Sequence, residues 1–202
     1  MKIEIDQSIK IEQTNKSTAV GLSNSVQVSV GISGKDKKVI QRYFRDNSQP
    51  RLFVVLTFCA LIAYAIKEAG KIESEITIDR EYPGYDALIK EKVVVYLEKL
   101  RARIDPDLLS IGLVGKESGS HMLAYKSAKS NSCQIKLTAG DILSLVKMKP
   151  ARTRPSEPSF SSSQKIKNRR VLKKRLSRLV GTPSGFYDKS ISKSERKVKR
   201  EK

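Results

Sequence analysis

Two aspartates and one histidine stand where this chain has the means to do chemistry. Asp6 follows Ile3 and Ile5, which alternate with Lys2 and Glu4 in the period-two pattern of a strand with one apolar face. Asp79 follows Ile76 and Ile78 in the same pattern. Each acid therefore closes an expected strand, and if the two strands are neighbours their carboxylates converge. Two carboxylates a few ångströms apart repel unless a cation lies between them, so the pair is a natural divalent-metal site. His121, the only histidine, falls in the polar segment 115–121, and neutral imidazole binds metal or takes up a proton near neutral pH. Plainer roles stay open beside these. Asp6 and Asp79 also suit strand-end turns, Asp79 just before Tyr82, Pro83 and Gly84, and His121 also suits a helix start. Lys116, ahead of a helix N-terminus, has the place of a phosphate contact or of a solvated lysine.

The elements that must position these groups follow from periodicity. Residues 9–14 alternate again, then 19–22 and 26–30 read as strands separated by turn chemistry at Asn15, Lys16 and 23–25, an antiparallel meander. Residues 35–45 place Val39, Ile40, Tyr43 and Phe44 at helical spacing. Residues 52–70 are apolar nearly all round, a buried helix with Gly70 as its C-cap. Residues 85–103 carry Leu88, Ile89, Val93, Tyr96, Leu97 and Leu100 on one helical face, and 108–114 reads as a buried strand. A helix over 120–130 is expected to turn Met122, Leu123 and Tyr125 inward. Residues 134–137 read as an edge strand, and Thr138 is placed to cap a closing helix over 140–147. Strands and helices alternating after a meander predict an α/β domain over 1–150 with a mixed sheet, antiparallel at first and parallel through later crossovers.

The 202 residues carry a net charge of +19. Residues 151–202 hold 17 Lys/Arg against 4 Asp/Glu, so two thirds of the excess lies in the last quarter of the chain. That tail is rich in Arg, Lys, Ser and Pro, reads as a linker over 151–163, and contains one basic amphipathic helix over 164–180. Ile166, Val171, Leu172, Leu176, Leu179 and Val180 share one face of that helix. Lys165, Lys167, Arg169, Arg170, Lys173, Lys174, Arg175 and Arg178 fill the rest, and these cations are the expected nucleic-acid contacts. Anionic membrane and docking on a partner are the competing readings of the same helix, the former weakened by the lack of Trp and Phe in it. Cys59 and Cys133 form no metal or disulfide pattern. The apolar run 53–66 is shorter than the roughly 20 residues of a bilayer span, so it is expected to be a core helix rather than an anchor. With no secretory pattern at residues 1–6, the expected location is cytoplasmic.

The order of elements, a strand ending Asp6-Gln7-Ser8, two further strands, helix, strand ending in Asp79, helix, strand, helix, resembles the ribonuclease H-like superfamily. The resemblance covers roughly residues 1–130. It implies a mixed sheet flanked by helices, Asp6 and Asp79 as ligands of Mg²⁺ or Mn²⁺, and His121 as the further group near the last core helix, together hydrolysing phosphodiesters. The chain departs from the family pattern in having no clear acid on the buried helix: Glu68 lies near its far end, and Glu73 or Glu75 on the following strand are only substitutes. Two functions are therefore expected in competition: a divalent-metal-dependent nuclease, and a catalytically inactive RNA-binding component of a ribonucleoprotein such as the ribosome. RNA is favoured over DNA in both.

Overall fold

Ile3, Ile5, Val20, Leu22, Val28, Val30, Ile76 and Ile78 all come to lie on one face of a single sheet, and this face builds the core. The structure is a computed structural model, and it describes residues 2–24 and 26–146. The strands are β1 (Ile3–Ser8), β2 (Thr18–Ser23), β3 (Val28–Ile32), β4 (Ile76–Asp79), β5 (Leu109–Gly112) and β6 (Ile135–Leu137). Their order across the sheet is β5-β4-β1-β2-β3-β6. β2 runs antiparallel to β1 and β3, while the β1/β4, β4/β5 and β3/β6 pairs are parallel. The described residues thus form an α/β fold with a six-stranded mixed sheet and five α-helices. The expected tail, its helix 164–180 and the cations assigned to it lie outside the described residues.

The helices are α1 (Gly34–Asp46), α2 (Leu52–Ala69), α3 (Asp86–Lys99), α4 (Gly119–Ser130) and α5 (Ala139–Val146). α2 packs on β2, β3, α3 and α5, which is why it is apolar on nearly every side. It is long and apolar enough to cross a bilayer by composition, and 67 % of it is buried inside the fold. Gly70 ends it with φ at 81°, a conformation that costs a residue with a Cβ. α4 covers the opposite face, against β1 and β2.

Three expectations fail for local reasons. Residues 9–14 form turns rather than a strand: Ile9 has φ at 63°, and the segment folds back through bonds from Gln13 N to Lys10 O and Thr14 N to Glu12 O. Its alternation survives only as the burial of Ile11. The strand β5 is an edge, not a buried core strand, and Leu113 just beyond it is 88 % exposed. In α4, Met122 and Tyr125 face solvent, Leu123 is half-buried, and Ser120, Ala124 and Ser127 face the sheet. The small face is required because Gly21 of β2 brings the two backbones together. A Cβ at that position would stand 2.5 Å from Ser120 O and 2.8 Å from Ala124 N.

Candidate metal centre

The parallel register places Ile5 beside Ile78, so the next residues along, Asp6 and Asp79, lie on neighbouring strands about 4.8 Å apart and face α4 together. This is where the chain order reverses across the sheet, β2 leaving β1 on one side and β4 joining it on the other. Clefts open at such points outside the carboxyl ends of parallel strands. Glu81, two residues past Asp79, completes a trio: one ligand oxygen from each of Asp6, Asp79 and Glu81 lies within 4.8 Å of the others. Glu81 reaches this place because its amide donates to Asp79 O (2.9 Å), a tight turn that folds the chain back at the end of β4.

Each acid is held by a different part of the fold. Asp6 is 3 % exposed; its Oδ1 accepts from Gln7 N (2.6 Å) and its Oδ2 lies 2.6 Å from His121 Nδ1. Asp79 Oδ1 accepts from Val114 N (2.8 Å), which ties it to the loop between β5 and α4. Glu81 faces the Lys10 ammonium at 4.0 Å. Tyr82 anchors the following loop: its ring packs edge-on against Phe58 of α2, and its hydroxyl accepts from Gln7 Nε2 (3.1 Å).

His121 arrives through two local devices. Ser118 caps α4, its Oγ accepting from His121 N (3.1 Å), which fixes the first turn. Gly21 pairs directly with Asp6 across the β1/β2 ladder, and its missing side chain admits the first turn of α4 against the strand. The close approach and the histidine contact are thus one feature.

The electrostatics disfavour the charged forms of Asp6 and Glu81. Burial pushes the Asp6 pKa up; the bonds from His121 and Gln7 oppose this, and nearby Asp79 adds to the rise. Burial also raises Glu81, helped by Asp79 and opposed by Lys10. A cation among these oxygens would relieve the repulsion.

The structure therefore brings Asp6, Asp79 and His121 to one site. Lys116 sits exposed in the turn before α4 and, among the described residues, forms no ion pair. Glu81 is the residue the sequence reading missed in favour of Glu68, Glu73 and Glu75; its spacing from Asp79, acid at i and i+2 off a strand end, was the available signal. Comparison with known proteins finds no matching family model, no matching curated protein and no matching solved structure.

Proposed function

We propose that this chain is a nucleic-acid-binding protein with a ribonuclease H-like domain that hydrolyses phosphodiester bonds with the help of a divalent cation. The observation that carries the reading is the convergence of Asp6, Asp79 and Glu81 at the carboxyl ends of two adjacent parallel strands, with His121 bonded to Asp6. The mixed sheet and flanking helices are compatible with that superfamily, and the net charge of +19 suits a phosphate-rich substrate.

An all-carboxylate donor set fits a hard cation such as Mg²⁺ or Mn²⁺, held by Asp6, Asp79 and Glu81; when bound, such an ion acidifies water and stabilises a leaving oxygen. The protein's own groups do the positioning. Val114 N orients Asp79, and His121 orients Asp6 while its own tautomer is set by that bond: with Asp6 ionised the proton sits on Nδ1, and Nε2 keeps a lone pair able to take a proton.

The second reading, a catalytically silent RNA-binding component of a ribonucleoprotein, draws on the fact that both Asp6 oxygens already have protein partners. One assay separates the two. Under the nuclease reading the full chain cleaves RNA or DNA only with Mg²⁺ or Mn²⁺, and Asp6→Asn abolishes cleavage while binding persists. Cleavage undiminished in Asp6→Asn would refute the proposed centre, and metal-independent binding without cleavage would favour the silent protein.

A further inference from the structure

Helix α1 carries cations where its fold has no use for them. Lys35, Lys38, Arg42 and Arg45 recur at i, i+3, i+7 and i+10, so they share one face of the helix. All four are exposed, and among the described residues none has a carboxylate within ion-pair distance. Asp46, at the C-terminal end of the same face, offsets one charge, and among the described residues it forms no ion pair. The chain before β2 extends the row: a Cβ on Gly34 would stand 2.7 Å from Thr14 O, so residues 14–16 lie against the start of α1 and set exposed Lys16 beside Lys35. Thr14, Lys38, Gln41, Arg42, Arg45 and Asp46 line a shallow groove of about 480 Å³ along this face.

The place of the row in the fold gives it a direction. β3 runs parallel to β1, so the carboxyl end of β3, from which α1 departs, lies on the same edge of the sheet as Asp6. Two strand spacings, about 10 Å, separate the ends of β1 and β3. α1 packs beside α2 and α5, on the face of the sheet opposite α4. Its first turn is tied to the acidic edge by the β1–β2 connection, where Lys10 accepts from the Lys37 ammonium at its carbonyl and faces Glu81 with its side chain. From Lys35 the row extends over ten residues to Arg45, roughly 15 Å. Four charges over that length approach the spacing of phosphates on one nucleic-acid strand, about 3.4 Å along the axis.

We propose that this face of α1 is a track for the phosphate backbone of a nucleic acid, leading the strand to the acidic edge of the sheet. The choice of partner rests on the nuclease reading of that edge. A membrane surface fits less well, because the apolar side of α1, with Ile40 and Phe44, is buried in the core and leaves only Val39, 54 % exposed, to enter a bilayer. The contact reads backbone charge and carries no base sequence.

The test is the salt dependence of binding of the full chain to a fluorescein-labelled single-stranded RNA in EDTA. Lys38→Ala/Arg42→Ala is expected to reduce the slope of log K against log salt by about 1.4, two phosphate contacts at about 0.7 each. Lys38→Arg/Arg42→Lys is expected to keep the wild-type slope. A wild-type slope in the alanine pair overturns the proposal. So does loss of polyglutamate binding, which assigns the face to an acidic protein, or of phosphatidylserine-vesicle sedimentation, which assigns it to a membrane, in the alanine pair with RNA binding intact. Cleavage plays no part in EDTA, so failure of the acidic centre appears in the nuclease assay and failure of the track appears in the slope.

Discussion

His121 Nδ1 and Asp6 Oδ2 lie 2.6 Å apart, joining the first turn of α4 to the middle of the sheet across 115 residues of chain. The contact works against burial. Desolvation raises the Asp6 pKa, and the histidine bond is the largest influence holding it down. In His121→Ala the Asp6 carboxyl is expected to titrate at higher pH than in the wild type, read from its carboxyl ¹³C shift in metal-free protein. Proton and cation compete for the same oxygens, so the pH at which Mn²⁺ binding is half-developed should move up as well. An unchanged Asp6 titration would mean that the histidine only fills space.

Glu81 and Asp79 give a second prediction, about stability. A carboxyl whose folded pKa is raised contributes fully below its unfolded pKa, and that contribution is lost as pH rises through the folded value. Glu81 is raised by burial first and by Asp79 second, and the Lys10 ammonium 4.0 Å away opposes them without reversing the sign. Metal-free Glu81→Gln should therefore melt above the wild type at pH 7, and the two curves should converge as pH falls below about 4, the unperturbed glutamate range. Added Mg²⁺ or Mn²⁺ should reverse the order, raising the wild-type melting temperature and leaving the variant nearly unmoved. Calorimetry across pH, with and without metal, checks both halves.

Asp79 was legible because it ends β4, whose alternation is unbroken; Asp6, expected to close its strand, lies within β1 two residues before its end, and the parallel β1/β4 register brings it level with Asp79. Residues 9–14 alternate just as well and form no strand. Periodicity does not register that Thr18 Oγ1 donates to Ile9 O and the Lys37 ammonium to Gln13 O, bonds that a turn satisfies and a ladder does not. Glu81 escaped notice because it lies past the strand, and only the backward turn at the end of β4 returns it to Asp79. The inward face of α4 was misread because the larger side chains of Met122 and Tyr125 outweigh Ser120, Ala124 and Ser127 in any hydrophobic count. A close backbone approach demands small residues, and the glycine that sets it lies about 100 residues away in sequence, in β2.

That approach is itself testable. In Gly21→Ala the new methyl meets backbone atoms of Ser120 and Ala124, which cannot rotate away, so the helix must shift. Overpacking of this kind costs about 1–3 kcal/mol. The denaturation midpoint should fall accordingly, and the His121 ring resonances should lose their dependence on Asp6 ionisation because α4 carries the imidazole away from it. A variant of wild-type stability that keeps the coupling would show that the sheet and α4 have slack.

Lys37 puts a charge in the core at the start of α1. It is fully buried, yet its ammonium donates to Thr18 Oγ1 (2.7 Å) and Gln13 O (3.0 Å), clasping the β1–β2 connection to α1. Burial pushes its pKa down to about 8, with Glu12 opposing. A lysine depressed in this way favours folding above its unfolded pKa of about 10.4, and that contribution is lost as pH falls through about 8. Across this window the wild type should gain stability with rising pH from this residue, at most about 1.4 kcal/mol per pH unit. Lys37→Met fills the same space without the charge. It should abolish that gain, stay within about 2 kcal/mol of the wild type at pH 7 because relief from burying a charge offsets the lost bonds, and speed amide exchange over residues 9–17. The same connection carries Lys10 opposite Glu81, so a loosened clasp should also weaken the Lys10 influence on the Glu81 titration. A variant that retains the alkaline gain would show that the buried ammonium is not its source.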